Sequence, residues 1–319
     1  MPKIKNLVYT LTFYPVYFII LLFTRLPLRI QYFLSDFIFI IAYYIVRYRR
    51  DVVKINLEKS FPEKTELERK QIAWKFYRHF CDCIIESVAL IGMNEAEIKK
   101  RCAYSNIEII NNLYDRGKGV ILAIGHYNNW EWYAGLQFFT KLQILGLYKP
   151  LNNPYFNKLI LRLREKYGGH AINIASALKK MMEYHNKNIL TITGFLADQR
   201  PMAKYIEYWT TFLNQETPVL LGVEKIGKRL DYAIVYGHTR KLRRGYYTTE
   251  FTLLCENPLE TKDYEITEMH TRALEKTIRE KPEFWLWSHR RWKHDRKIIE
   301  MKKQEQEERK KSSGGTTHD

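Results

Sequence analysis

The order of elements legible in this chain predicts an α/β fold: a mixed β-sheet flanked by helices, behind an N-terminal membrane helix. Three observations carry that expectation. From residue 119 onward, apolar strand-like runs alternate with helical ones, as in domains layered around a sheet. Residues 119–124 form an apolar, strand-like stretch that stops at Gly125. Residues 7–24 carry no charge, between Lys3 and Lys5 on one side and Arg25 and Arg29 on the other.

At about 18 residues, that first run reaches the lower end of what crosses a bilayer as a helix. The flank Arg25-Leu-Pro-Leu-Arg29 offers no small-residue cleavage site, which argues against a signal peptide. A second apolar run, 32–46, is broken by Asp36 and ends in Arg47-Tyr-Arg-Arg50, so it reads as interfacial or core-buried. Tyr9, Phe13, Tyr14, Tyr17, Phe18, Tyr32 and Phe33 crowd these runs, and those near the ends suit a headgroup layer.

Helices follow. Thr65-Glu-Leu-Glu68 is a capping box, and Leu67, Ile72, Phe76, Phe80 and Ile84 continue an apolar stripe to about residue 90. A helix over 107–115 closes at Gly117. After the strand at 119–124 come a helix at 130–140, a strand at 142–148 and a helix at 154–167 ending on Gly168-Gly169. Ser176 caps a helix to Asn186, and 189–196 reads as a buried strand. Thr217-Pro218 places a cap and an N1 proline ahead of a helix running to Ile226. Strands at 230–236 and 246–255 are joined by the basic turn 240–245, and a last helix covers 265–280. The expected organisation is a membrane anchor over 1–30 and one domain over 31–295, mainly helical to 118 and α/β from 119. A charged, disordered tail covers 296–319.

Composition narrows the function less than it narrows the fold. A formal charge of +17 over 319 residues suits nucleic acid, anionic lipid or an acidic protein partner alike. Cys81, Cys83, Cys102 and Cys255 form no C-x-x-C pair or zinc spacing, so they read as small buried hydrophobes in a reducing compartment. The chain has no Gly-x-Ser-x-Gly elbow, P-loop, Gly-x-Gly-x-x-Gly or His-Glu-x-x-His.

The chemistry concentrates at strand ends. The run Ile121-Leu-Ala-Ile-Gly-His-Tyr-Asn-Asn-Trp-Glu-Trp132 delivers His126 just after a strand and Glu131 where a helix can begin. A histidine there can serve as a general base, with a carboxylate to orient it and balance its charge. Tyr148-Lys-Pro-Leu-Asn-Asn-Pro154, with Lys149, precedes a helix carrying Arg162 and Arg164; cations and amides there can hold anionic or hydroxylated groups, or simply face solvent. Phe195-Leu-Ala-Asp-Gln-Arg-Pro201 sets Asp198 and Gln199 after the buried strand, either beside His126 or in an ordinary turn. Pro282-Glu-Phe-Trp-Leu-Trp-Ser-His-Arg-Arg-Trp-Lys293 interleaves Trp with Arg. Its Trp285, Trp287 and Trp292 suit a bilayer interface, with Arg290, Arg291 and Lys293 reaching phosphates. RNA stacking is the rival reading, and His289 reads as a packed structural histidine.

Taken in order, these stretches resemble the bacterial lipid A late acyltransferases (lauroyl- and myristoyl-type), within the lysophospholipid acyltransferase superfamily. The resemblance covers about residues 7–295. It includes Tyr43-Tyr-Ile-Val-Arg-Tyr-Arg-Arg-Asp-Val-Val-Lys-Ile-Asn-Leu-Glu-Lys-Ser-Phe-Pro62, the box from His126 to Glu131, Asn153-Pro154 with Arg164, Asp198, and His289-Arg-Arg-Trp-Lys293. It implies a glycerol-3-phosphate acyltransferase-like fold at the cytoplasmic face of the inner membrane. It also implies transfer of an acyl group from acyl-acyl carrier protein to a hydroxyl of a lipid A precursor, with no metal or redox cofactor and no nucleic acid. His126 and Glu131 would form the catalytic pair, and Arg164, Asp198, Lys149 and Gln199 would bind substrate. Lys149 stands where many relatives carry arginine, which loses the bidentate fork, and Arg200 follows Asp198-Gln199 where relatives often place an acid. These departures bear on the acceptor: a lysophospholipid or aminolipid is the alternative. A non-catalytic membrane- or RNA-binding protein is the reading from another class.

Overall fold

In the computed structural model, residues 2–301 and 305 are described, with side chains from residue 9 onward. A seven-stranded mixed sheet of order β1-β9-β8-β2-β5-β3-β4 forms the frame. Its strands are β1 (Cys102–Ser105), β2 (Val120–Ile124), β3 (Gln143–Tyr148), β4 (His170–Asn173), β5 (Thr191–Leu196), β8 (Ala233–Arg243) and β9 (Tyr246–Cys255). All neighbouring pairs are parallel except the β8–β9 hairpin.

β2 lies at the centre, between β5 and β8. Its residues alternate between two cores, as the two-residue period of a strand requires. Val120, Leu122 and Ile124 pack with Ile110 and Leu113 of α6 (Ile107–Asp115). Ile121 and Ala123 pack with Met181 of α8 (Ala177–Asn186), Val223 of α9 (Gly222–Leu230) and Ile266 of α10 (Glu265–Glu280). Burial on both faces is why the strand reads as continuously apolar.

Helices α1 (Pro2–Thr24), α2 (Leu28–Ile40, continued by a π-helical turn at Ile41–Ile45), α3 (Arg50–Ser60), α4 (Glu66–Ala89) and α5 (Glu95–Arg101) precede the sheet. Thr65 and Glu68 close the expected capping box at the start of α4. Among the described residues, the helix long and apolar enough to cross a membrane is Leu28–Ile45, whereas Tyr9–Thr24 is shorter. Both apolar runs thus form helices, the first ending at Thr24 and the second beginning at Leu28. One face of α2 packs on α4, where Ser35 donates to Asp82 at 2.7 Å. Asp36, which interrupts the apolar run, is paired with Arg244 at 2.7 Å. Phe33, Phe37 and Ile40 stay exposed.

Several elements depart from the sequence reading. Residues 130–138 form a 3-10 helix rather than an α-helix. β1 and β4 are short strands that their composition does not announce. Thr217-Pro218 does not start a helix: it lies in β7 (Gln215–Val219), paired antiparallel with β6 (Tyr208–Phe212). The two-residue loop Leu213-Asn214 closes this ribbon with φ of 50° and 62°, the left-handed pair of a tight hairpin without its usual glycine. Proline is tolerated because a two-stranded ribbon has free edges. β8 also runs on to Arg243, so the basic segment is mostly strand. Residues 296–301 are helical, and the disorder expected for the rest of the tail lies outside the described residues.

Candidate active site

The parallel pairing of β2 with β5 aligns Ile124 with Leu196. His126 and Asp198 each follow two residues later, so the register alone brings them together at the carboxyl edge of the sheet, where open α/β sheets place their sites. The His126 Nδ1 lies 2.7 Å from Asp198 Oδ1, and the His126 backbone N–H donates to Oδ2 at 2.8 Å. Trp285 Nε1–H adds a third bond to Oδ2 at 2.7 Å. Gly125 permits this approach: a Cβ there would stand 2.7 Å from Leu274 and 3.3 Å from Asp198 Oδ2.

Asp198 is buried, with its side chain 1% exposed, whereas that of His126 is 15% exposed. Burial pushes the Asp198 carboxyl up, but the His126 charge and the three donors outweigh it and bring its pKa down to about 2. An ionised Asp198 accepts from Nδ1–H and leaves Nε2 as the ring's lone-pair atom. Gln199 Nε2 stands 3.1 Å from that atom. The Trp130 and His126 rings form a T-shaped pair with centroids 4.9 Å apart.

Glu131 is not His126's partner. Its Oε1 takes Arg164 Nη2 at 3.1 Å, while Arg164 Nη1 donates to the Leu147 carbonyl at 2.7 Å. The expected His126–Glu131 pair therefore resolves into two: His126 with Asp198, and Glu131 with Arg164. The reason is position in the fold. Glu131 lies on the 3-10 helix facing α7 (Pro154–Glu165), whose start is capped by Asn153 through Tyr155 N–H at 3.0 Å. Of the two places the sequence offers for Asp198, the structure takes the one beside His126, where the carboxylate holds the ring. Lys149 is exposed on the loop after β3, with no hydrogen-bond or ion-pair partner among the described residues.

A cavity of about 100 Å³ lies between the 3-10 helix and the sheet. Its walls are Leu122, Ile124, Trp130, Leu136, Ile144 and Ile192, with Glu131 and Arg164 among the lining residues. Gly146 and Gly194, paired in register on β3 and β5, line it too. An apolar slot beside a half-buried ion pair can take a hydrocarbon chain carrying a polar head.

The segment after α10 behaves differently from the interfacial belt its tryptophans imply. Trp285 and Trp287 are 2% and 0% exposed, and Arg291 is 2% exposed. The segment is locked to the histidine loop by Leu286 N–H donating to the His126 carbonyl at 3.1 Å and Asn128 N–H donating to the Phe284 carbonyl at 2.9 Å. Arg290 and Lys293 are exposed as expected. His289 is half-buried, accepts from Arg200 N–H at 3.2 Å, and has its pKa pushed down by burial to about 4. The bond from Trp285 to Asp198 had no signal in local spacing, since the two residues come from elements 87 positions apart.

Residues 1–294 match the family model described as bacterial lipid A biosynthesis acyltransferase. A lipid A biosynthesis acyltransferase of Haemophilus influenzae is 22% identical over 220 residues, 68% of this chain and 67% of that protein. A lipid A biosynthesis lauroyltransferase of Escherichia coli K12 is 22% identical over 274 residues, 85% of this chain and 88% of its own. With nearly its whole length matched and a histidine–carboxylate pair at the sheet edge, the chain belongs to the bacterial lipid A biosynthesis acyltransferase family.

Proposed function

We propose that the protein transfers a fatty acyl group from acyl-acyl carrier protein to a hydroxyl of a lipid A precursor, with His126 as general base. The observation that carries this reading is the Asp198–His126 bond, which leaves Nε2 as the basic atom on the exposed side of a buried carboxylate.

The acceptor hydroxyl replaces the Gln199 amide at Nε2 and gives its proton to that atom while its oxygen attacks the thioester carbonyl. Asp198 stabilises the resulting imidazolium. The carbon–sulfur bond then breaks, and the departing thiolate takes the proton back from Nε2. General base catalysis of this kind contributes about 10²–10⁴-fold, and positioning supplies much of the remainder.

The acyl chain occupies the slot between the 3-10 helix and the sheet. The Glu131–Arg164 pair then fixes the entrance geometry or holds an anionic group of the substrate, and Lys149 offers a second cation on the adjoining loop. The basic surface suits an acidic carrier protein. The exposed apolar face of Leu28–Ile45 supports attachment of the domain to a membrane, on this reading the cytoplasmic face of the inner membrane.

Mass spectrometry of lipids from a strain lacking the protein tests the reading. The expected result is lipid A lighter by one acyl group, restored by wild type and not by His126→Ala. An unchanged lipid A beside a shifted phospholipid or aminolipid would replace the acceptor, and no change in any lipid would overturn the assignment.

A further inference from the structure

Asp198 faces more than His126. With Arg291, His270, Thr271 and Leu274 it also lines a cavity of about 20 Å³, room for one water molecule. Three polar atoms of these lining residues have no hydrogen-bond partner among the described residues: Arg291 Nε, Arg291 Nη1 and His270 Nε2. Arg291 is otherwise held by one bond, from Nη2 to the Pro218 carbonyl at 2.6 Å. Asp198 accepts three donors, and a carboxylate offers about four lone-pair sites. A buried guanidinium with two unpartnered nitrogens, a buried imidazole with one and a carboxylate with spare capacity thus line one water-sized space. Leaving such buried groups unpaired is costly, so the arrangement favours an occupant that can both donate and accept.

We propose that Arg291 is a positioning residue for the Asp198–His126 pair, holding the carboxylate through one ordered water that His270 also contacts. The proposal rests on the reading of His126 as base. Arg291 does not touch the reacting atoms; it fixes the charge and rotamer of the group that orients the imidazole. Its guanidinium keeps its proton, because the Asp198 charge opposes the burial that pushes its pKa down to about 10. The other charged and titratable groups around it are Arg200 after β5, His289 in its own segment, His126, and His270, which also feels Glu224 and Glu268. This view gives the buried Arg of the segment 282–293 a role distinct from its exposed neighbours Arg290 and Lys293.

The test compares full-length wild type, His126→Ala, Arg291→Met and Arg291→Lys, assayed with acyl-acyl carrier protein and the lipid acceptor. A crystal or cryo-EM structure of wild type resolved well enough to place waters accompanies the assays. Arg291→Met is expected to lower kcat by about tenfold to a hundredfold, the range that misplacement of a catalytic group produces, with KM unchanged within about twofold. Removing a cation favours the imidazolium, so the acidic limb of its pH–rate profile moves to higher pH. Arg291→Lys, which keeps the charge, partly restores both. Wild type shows density for one water within hydrogen-bonding reach of Arg291 and Asp198. A wild-type cavity without that water, or an Arg291→Met loss that matches its unfolded fraction with an unmoved acidic limb, overturns this proposal alone. Full turnover by His126→Ala overturns the base assignment and this proposal with it.

Discussion

Asp198 grips His126 twice, through the ring Nδ1 at 2.7 Å and the backbone N–H at 2.8 Å. The double contact fixes the tautomer and the place of the imidazole together, so the orienting carboxylate lies 72 positions away in sequence rather than five. Glu131, the acid of the local box, holds Arg164 instead. Each pair makes a separable claim.

Replacing Asp198 with Asn keeps the shape of the side chain and removes its control of the tautomer. Turnover is expected to fall roughly 10²–10⁴-fold, as when a histidine base loses its orienting carboxylate. Initial rates beside circular dichroism of the same preparation check this; a folded variant within about threefold of wild type would contradict it.

The Glu131–Arg164 pair, in contact at 3.1 Å, acts as one unit. Glu131→Gln and Arg164→Gln should each lower kcat/KM, and the double variant should lose little more than the worse single one. Residues in direct contact show interaction energies of about 0.5–3 kcal/mol in such cycles. Strictly additive losses in the four-protein comparison would show that the two side chains work apart.

Gly146 and Gly194 face the slot without side chains. A Cβ at Gly146 meets nothing closer than the His170 carbonyl at 4.0 Å, and one at Gly194 meets Ile124 at 3.7 Å. Neither glycine is required by the backbone, so Gly146→Val should fold while shortening the acyl chain accepted. Mass spectrometry of the lipid product from mixed donors reads this directly, and an unchanged chain-length distribution would remove the slot from the account.

Stability should fall with acid in two stages. Burial pushes the His270 pKa down to about 4, whereas a histidine in the unfolded chain titrates near 6.5. Between those values the unfolded state binds more protons, so stability falls as pH falls through that window. Asp198, depressed to about 2 from its ordinary value, adds a further loss below about 4. Melting temperatures from pH 7.5 down to 4.5 should decline, and His270→Gln should flatten the decline; equal slopes for the two proteins would show that His270 carries no such linkage.

What was legible in the sequence is what is local. The capping box at Thr65, the buried strand before His126 and the helix Glu265–Glu280 are written in short-range pattern, and each stands where it was read. Pairing across the sheet is not local. The Ile124–Leu196 register decides which carboxylate reaches His126, and nothing in the spacing of the His126–Glu131 box reports it. The ribbon at Thr217-Pro218 misled for a related reason: a proline after threonine fits a helix start and an edge strand equally, and the hairpin turn lacked glycine. Trp285, Trp287 and Arg291 have the composition of an interfacial belt, and only the docking of their segment on the histidine loop reveals them as buried support for the site.

The most direct test of the central claim is the turnover of purified His126→Ala beside wild type, with acyl-acyl carrier protein and a lipid A precursor as substrates and fold checked by melting. The account predicts a folded protein whose turnover is reduced by at least about 10²-fold, the lower end of what a general base supplies. A folded variant that still acylates the acceptor at a rate within about twofold of wild type would contradict it.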